Sequence, residues 1–254
     1  MKELGGSQVD LWFANLEDFD LCLVRRECAD WLNSEETNRM RRYQSRRQQE
    51  HFVLGRIILK LTLSKYFGCS PSDLNFHTDN QGKLFLNSNN PPSLFFSLSH
   101  SYNRLVVAVC RVRDMGVDVE LVNEKREILK IAKRYFSPRE FQDLSNLKVS
   151  VQTKRFYELW TLKESVLKAL GVGLSGFLSK VKFTFPTSDK LDLQFVLTEQ
   201  GPAKWQSWQI KTLEPYVLAL SVKSLDTKIN HIESHTFMSL DKIVPGETEI
   251  IRSF

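Results

Sequence analysis

The chain has 254 residues, 42% hydrophobic and 26% charged, the composition of an ordinary globular protein with room for one large domain or two small lobes. Lys and Arg number 35 against 30 Asp and Glu, a formal charge of +5 and a pI near 9.0, which favours anionic partners without choosing among nucleic acid, phosphorylated cofactors and acidic proteins. No stretch approaches the ~20 apolar residues of a membrane span, and the N-terminal MKELGGSQVD lacks the apolar core of a secretory signal. Cys22, Cys28, Cys69 and Cys110 show neither C-x-x-C spacing nor a disulfide framework, so a reduced, soluble, cytoplasmic protein without a zinc site is expected.

Val9, Leu11 and Phe13 alternate with Asp10 and Trp12, the pattern of a first strand. An arginine-rich stretch follows, and then Val53, Leu54, Ile57, Ile58 and Leu61 recur at the spacing of a helix with one buried face. Residues 73–92, rich in Asn, Gly and Pro, read as loops around short strands. The β-branched runs 105–110 and 115–122 are separated only by Arg111, Val112, Arg113 and Asp114, which predicts an antiparallel hairpin. A helix is expected over 124–135. Ser137, Pro138 and Glu140 supply an N-cap, a proline at the first helical position and a capping-box acid for another helix through Leu144.

The strongest helical pattern runs over 154–170, with Gly171 placed to end it. Strands are expected at 181–185, 191–197, 208–213 and 216–222, followed by a polar tail from about 224, parts of which should be poorly ordered. Each half pairs a long helix (near 57 and near 162) with a later β-branched strand (LVVAVC and VLALSV). That repeat points to an α+β fold of two similar α/β lobes, a pseudo-dimer in one chain, with the active site in the cleft between them. The lobes are expected to divide at 1–112 and 113–254.

Four motifs bear chemistry. In Gly116-Val117-Asp118-Val119-Glu120 a strand would place Asp118 and Glu120 on one face, where a hard divalent cation such as Mg²⁺ would offset their repulsion. Taken alone, a D-x-E is more commonly a solvated strand face. Glu164 and Lys168 stand four apart on one helix face, a carboxylate for a metal and an ammonium for the same phosphate. The plain alternative is a surface pair worth about 0.2–0.5 kcal/mol. Ser97, Ser99, His100 and Ser101 precede a strand and could hold a phosphate, whereas no G-x-S-x-G elbow supports a hydrolase. Arg39, Arg41, Arg42, Arg46 and Arg47 form a basic run with no nucleic-acid motif beside it, equally readable as a solvated helix face.

FSLSHS (96–101), GVDVE (116–120) and LWTLKESVLKALGVGLS (159–175), in this order, resemble the motifs of the 4′-phosphopantetheinyl transferase superfamily, in its larger single-chain, surfactin-synthetase-activating type. AKRYFSPREF (132–141) is similar to the family's segment between the second and third motifs, and the resemblance covers roughly residues 35–222. It implies an enzyme that moves phosphopantetheine from coenzyme A to a serine of an apo acyl or peptidyl carrier protein, releasing 3′,5′-ADP. The carrier could serve fatty-acid, polyketide or nonribosomal-peptide synthesis.

The resemblance implies that Asp118, Glu120 and Glu164 hold Mg²⁺ at the coenzyme A pyrophosphate, with Glu164 as metal ligand, general base or both. It implies that Lys168 contacts a pyrophosphate oxygen, and that Lys83, Ser99, His100, Lys163 and His51 bind coenzyme A, His100 facing the 3′-phosphate end. The family's G-K-P appears as Gly82-Lys83-Leu84, without the proline, and His51 stands where the family usually carries an arginine for the 3′-phosphate. A neutral imidazole is the weaker phosphate ligand, so somewhat weaker coenzyme A binding is expected, or compensation by Arg56 or an arginine of the 39–47 run. A monomer acting on coenzyme A and a carrier, with no nucleic-acid or membrane partner, is expected. Another Mg²⁺-dependent phosphoryl-transfer enzyme, or a basic binding module without catalysis, is the alternative.

Overall fold

The computed structural model describes residues 1–79, 82–87, 93–172, 176–195 and 204–254. Its helices are α1 (Leu21–Glu27), α2 (Ser34–Arg41), α3 (Arg46–Phe67), α4 (Ile128–Tyr135), α5 (Pro138–Ser145) and α6 (Val149–Leu170). Its strands are β1 (Gln8–Asn15), β2 (Phe76–Thr78), β3 (Leu84–Leu86), β4 (Phe95–Ser101), β5 (Arg104–Cys110), β6 (Asp114–Leu121), β7 (Val181–Thr184), β8 (Asp192–Phe195), β9 (Lys204–Ile210), β10 (Tyr216–Ser224), β11 (His231–Phe237), β12 (Ile243–Gly246) and β13 (Ile250–Ser253). Two main sheets form, one in the order β12-β11-β1-β5-β4 and one in the order β13-β9-β10-β6.

The alternation of side chains along each strand builds a layered molecule. Trp12 and Ala14 of β1, with Leu105, Val107 and Val109 of β5, pack under Leu54, Ile57 and Ile58 of α3. Their neighbours Val9, Leu11, Phe13, Val106 and Ala108 point the other way, into a core shared with Val117, Val119, Leu218 and Leu220 of the second sheet. On the far face of that sheet Val217 and Ala219 meet Phe156, Leu159 and Leu162 of α6. The first strand is therefore buried on both faces rather than one, as is β5, whose seven residues are all buried. Each fully buried Leu, Ile, Val or Phe contributes about 1.5–3 kcal/mol.

The two lobes repeat each other in detail. Helices α3 and α6 both have 22 residues, and each ends at a glycine in the left-handed region, Gly68 (φ 63) and Gly171 (φ 68). Each follows an eight-residue helix opened by a capping box, Asn33 with Glu36 in α2 and Ser137 with Glu140 in α5. Those two capping glutamates are buried, and each pairs with a fully buried lysine on the long helix: Lys60 Nζ lies 3.4 Å from Glu36, and Lys163 Nζ lies 2.8 Å from Glu140. Capping box, buried pair and left-handed stop thus occur twice.

Several expectations are corrected. The runs 105–110 and 115–122 do not form a hairpin: β5 pairs with β1 and β4, whereas β6 pairs with β10. The residues between them carry the chain from one sheet to the other. The helix expected from 124 starts at Ile128. The tail expected to be poorly ordered instead forms strands, β11 parallel to β1 and β13 antiparallel to β9. So β11 and β12 lie in the first sheet, although they follow residue 113. Within 73–92, β2 pairs with β3, while 80–81 and 88–92 lie outside the described residues. The strand expected over 191–197 is β8, and residues 196 and 197 are likewise outside them, as are 173–175 of the third motif.

Beside β11, Asp10, Glu233 and His235 are the only His, Cys, Asp or Glu trio among the described residues whose ligand atoms all lie within 4.8 Å of one another. The Lys2 ammonium already stands among them, 2.8 Å from His235, 3.3 Å from Glu233 and 3.4 Å from Asp10. Protein charge therefore balances that cluster, which ties the N-terminus to β11.

Candidate active site

Gly116 decides how the site is assembled. A Cβ there would lie 2.1 Å from the Ser165 carbonyl oxygen, 2.6 Å from the Ala169 nitrogen and 2.8 Å from Lys168 Cβ. Only the missing side chain lets α6 lie directly on β6, a backbone approach that an isolated strand glycine often marks. With Val117 and Val119 in the inter-sheet core, Gly116, Asp118 and Glu120 share the face beneath α6, and Glu164 and Lys168 descend on them from above.

Lys168 uses all three ammonium protons within this contact. Its Nζ is 2.7 Å from Asp118 Oδ1, 2.8 Å from Ser99 Oγ and 3.1 Å from the Val117 carbonyl. Ser99, arriving from β4 of the other lobe, donates to Asp118 Oδ1 at 2.8 Å and accepts the Val119 N–H at 3.3 Å. Ser101 donates to Glu120 Oε2 at 2.7 Å and accepts the Leu121 N–H at 3.1 Å. The site therefore straddles the seam between the lobes.

The electrostatics are short of positive charge. Glu164, 7% exposed, is pushed up to about 8, first by burial and then by Asp118 and Glu120, against the opposing pull of Lys168 and a hydrogen bond with Trp160. Glu120 is also pushed up, chiefly by burial and further by Asp118, while Ser101, Arg126 and Lys168 act the other way. Asp118, 2% exposed, keeps its Oδ2 without a hydrogen-bond partner. Leaving such an oxygen buried and bare costs about 1–3 kcal/mol or more. Hard carboxylate oxygens gathered in this state are suited to a hard divalent cation, and Mg²⁺ needs only one or two of them because it keeps water in its shell. The carboxylates do not form a tight preformed cage, since their ligand atoms are not all within 4.8 Å.

The remaining candidates fall into three groups. His100 adjoins the site: crowding by protein pushes its imidazole down, and so do the charges of Lys168 and His51. His51, on α3, is likewise pushed down by burial and by Arg47, whose Nε donates to it at 3.4 Å. Lys83 stands at the other end of β6, its Nζ 3.5 Å from the Ala169 carbonyl near the C-terminus of α6. Its ammonium is pushed down by burial, with Asp114 and Arg113 nearby.

Lys163 is not at the site. It is 0% exposed, and its ammonium donates to Glu140 Oε2 and to the carbonyls of Leu178 and Val181, so it has neither a free proton nor an opening for a ligand. The expectation that it binds coenzyme A is corrected: it is a core pin of the second lobe. Arg56 is similarly committed: the residue is buried, with Nε 3.2 Å from Glu36 and its guanidinium over the Phe52 ring, so it cannot compensate at His51. Arg47 is the arginine of the basic run that stands beside His51.

Three roles at the site escaped sequence reasoning. Gly116 carried a readable signal, a lone glycine in a strand. Ser101 stood inside a motif read for phosphate contacts, and its partner Glu120 lies on another lobe. Arg126 stacks over the Trp160 ring at 5.4 Å while facing Glu120, a contact with no local pattern.

Fold and site together define a duplicated α+β protein with an acidic, lysine-flanked centre on the seam between its lobes. The model described as the 4′-phosphopantetheinyl transferase superfamily matches residues 114–221, and the one described as 4′-phosphopantetheinyl transferase, N-terminal, matches residues 24–112. HetI, a 4′-phosphopantetheinyl transferase of Nostoc sp., is 32% identical over 213 residues, 82% of this chain and 83% of that protein. A Synechocystis sp. protein provisionally named as such a transferase is 39% identical over 150 residues, 59% of this chain and 61% of its own length. The 4′-phosphopantetheinyl transferase Sfp of Bacillus subtilis is 32% identical over 145 residues, 57% and 62% respectively. The chain thus belongs to the 4′-phosphopantetheinyl transferase superfamily, although the match spans less than two thirds of the Synechocystis and Bacillus proteins.

Proposed function

We propose that the protein transfers 4′-phosphopantetheine from coenzyme A to a serine hydroxyl of an apo carrier protein and releases 3′,5′-ADP. The observation that carries this reading is the meeting of Asp118, Glu120 and Glu164 with Lys168 and the β4 serines at the lobe seam. On this reading residues 1–112 supply nucleotide contacts through His51, Lys83, Ser99 and His100, and residues from 113 onward supply the acidic centre.

Asp118, Glu120 and Glu164 would hold Mg²⁺, for which the partnerless Asp118 Oδ2 and the two raised carboxyls are the supporting observations. When bound, the ion neutralises charge on the pyrophosphate. The rest of the chemistry belongs to the side chains. Lys168, fixed by Asp118, Ser99 and the Val117 carbonyl, presents a held positive charge to the pyrophosphate, so little reorganisation accompanies reaction. Glu164 takes the proton from the attacking serine, its carboxylate held at the seam beside Asp118 and Lys168. The serine oxygen bonds to the β-phosphorus, the bond from that phosphorus to the bridging oxygen breaks, and the electron pair leaves with 3′,5′-ADP.

The basic character of the chain supports docking of an acidic carrier surface, with binding that weakens as salt rises. The test is to incubate the protein with coenzyme A, Mg²⁺ and a panel of apo carriers, and then weigh the carriers intact. A metal-dependent gain of one phosphopantetheine supports the reading and identifies the carrier class. Absence of coenzyme A binding overturns it.

A further inference from the structure

We propose that Ser101 is a positioning residue that aims Glu120, acting as one rung of a serine rail between the two lobes. The inference rests on the reading of the acidic centre as a cation site. Strands β4 and β6 are the edges of their respective sheets, and bare edges leave a row of N–H groups unpaired. Here that row is met by side chains. Ser97, Ser99 and Ser101 accept the N–H groups of Val117, Val119 and Leu121 at 3.1, 3.3 and 3.1 Å, each separated by 20 residues in sequence.

The constant register has a consequence for the acids. A serine hydroxyl that accepts a backbone N–H still has its own proton to donate. The residue preceding each N–H is 116, 118 or 120, so the three rungs face Gly116, Asp118 and Glu120 in turn. Ser99 gives its proton to Asp118 Oδ1, and two residues on Ser101 gives its proton to Glu120 Oε2 at 2.7 Å. Ser97 has no carboxylate to meet, because its position falls opposite the glycine that admits α6.

Ser101 therefore does for the longer, more mobile Glu120 what Ser99 and Lys168 do for Asp118. Glu120 has one more rotatable bond than Asp118 and is only half-buried, so without its rung it samples orientations that a cation cannot share with Asp118 and Glu164. Ser97, by contrast, only holds the seam in register.

The test is Mn²⁺ binding to the full chain saturated with coenzyme A, read from the electron-spin resonance of the free ion. Ser101→Ala should weaken Mn²⁺ binding by about tenfold or more, the usual effect of removing a group that orients a metal ligand. Ser101→Thr, which keeps the hydroxyl, should stay close to the original protein. If alanine prevents folding, Ser101→Cys replaces it, since a thiol keeps the volume and is a poor donor. Ser97→Ala should lower Tm and leave Mn²⁺ affinity intact. Unchanged Mn²⁺ affinity in Ser101→Ala overturns the inference while leaving the cation reading in place, provided that Asp118→Ala weakens binding. Equal losses in Ser97→Ala and Ser101→Ala also overturn it, because the rail would then act only on lobe register. Absence of Mn²⁺ binding by the original protein overturns the cation reading and this inference with it.

Discussion

Replacing Gly116 with alanine tests whether the acidic centre depends on α6 resting on bare backbone. The added Cβ would sit 2.1 Å from the Ser165 carbonyl oxygen and 2.6 Å from the Ala169 nitrogen, both backbone atoms of the C-terminal turns of α6. An ordinary contact requires more than 3.0 Å, so α6 or β6 must move apart by roughly 1 Å. Overpacking of this kind costs about 1–3 kcal/mol, and the shift would lengthen the 2.7 Å contact between Lys168 and Asp118. A misplacement of about 1 Å can cost on the order of 100-fold in turnover. Thermal unfolding and carrier modification by intact mass measure the two effects separately, and turnover should fall further than stability explains. A Gly116→Ala protein with the original Tm and rate would refute the account.

Three other predictions are independent of it. Glu164, pushed up to about 8, leaves the metal-free folded chain holding a proton that the unfolded chain has lost above its ordinary carboxylate pKa. Its contribution to stability therefore falls as pH rises between about 5 and 8, by at most about 1.4 kcal/mol per pH unit. His51 and His100, pushed down, act oppositely at the acid end, so the difference in Tm between the original protein and Glu164→Gln isolates the effect; a difference that does not vary with pH rejects it. Lys163→Met leaves Glu140 without its cation in the core and should cost about 3–5 kcal/mol in denaturant unfolding while the folded fraction keeps its coenzyme A affinity; a changed affinity would return Lys163 to the site. His51→Arg should tighten coenzyme A several-fold by calorimetry, because a second fork beside Arg47 adds charge-assisted bonds, and an equal Kd would contradict this.

Much of the architecture was legible because it depends on neighbours in sequence. The capping box at Ser137 and Glu140, the stop at Gly171 and the shared face of Asp118 and Glu120 follow from the periods of helix and strand, and all are present. The duplication also showed in the sequence, since LVVAVC and VLALSV became the equivalent strands β5 and β10, each beside a 22-residue helix. Motif order indicated the family for the same reason: it is a property of the chain read end to end.

What the sequence left open is which faces meet. Lys163 and Lys168 lie on one helix, five residues apart, yet one is sealed against Glu140 in the core and the other reaches Asp118 at the seam. Helical periodicity assigns them to different faces without saying what each face will touch. Strand β6 could have paired with β5 across a short turn, but the second sheet gave it β10, and its other edge was met by serines. The polar tail became strand β11 because β1, more than 200 residues earlier, offered a parallel partner. Local rules set the conformation and the polarity of each segment, whereas the raised carboxyl of Glu164 and the bare oxygen of Asp118 arise only when distant segments are packed together and water is excluded.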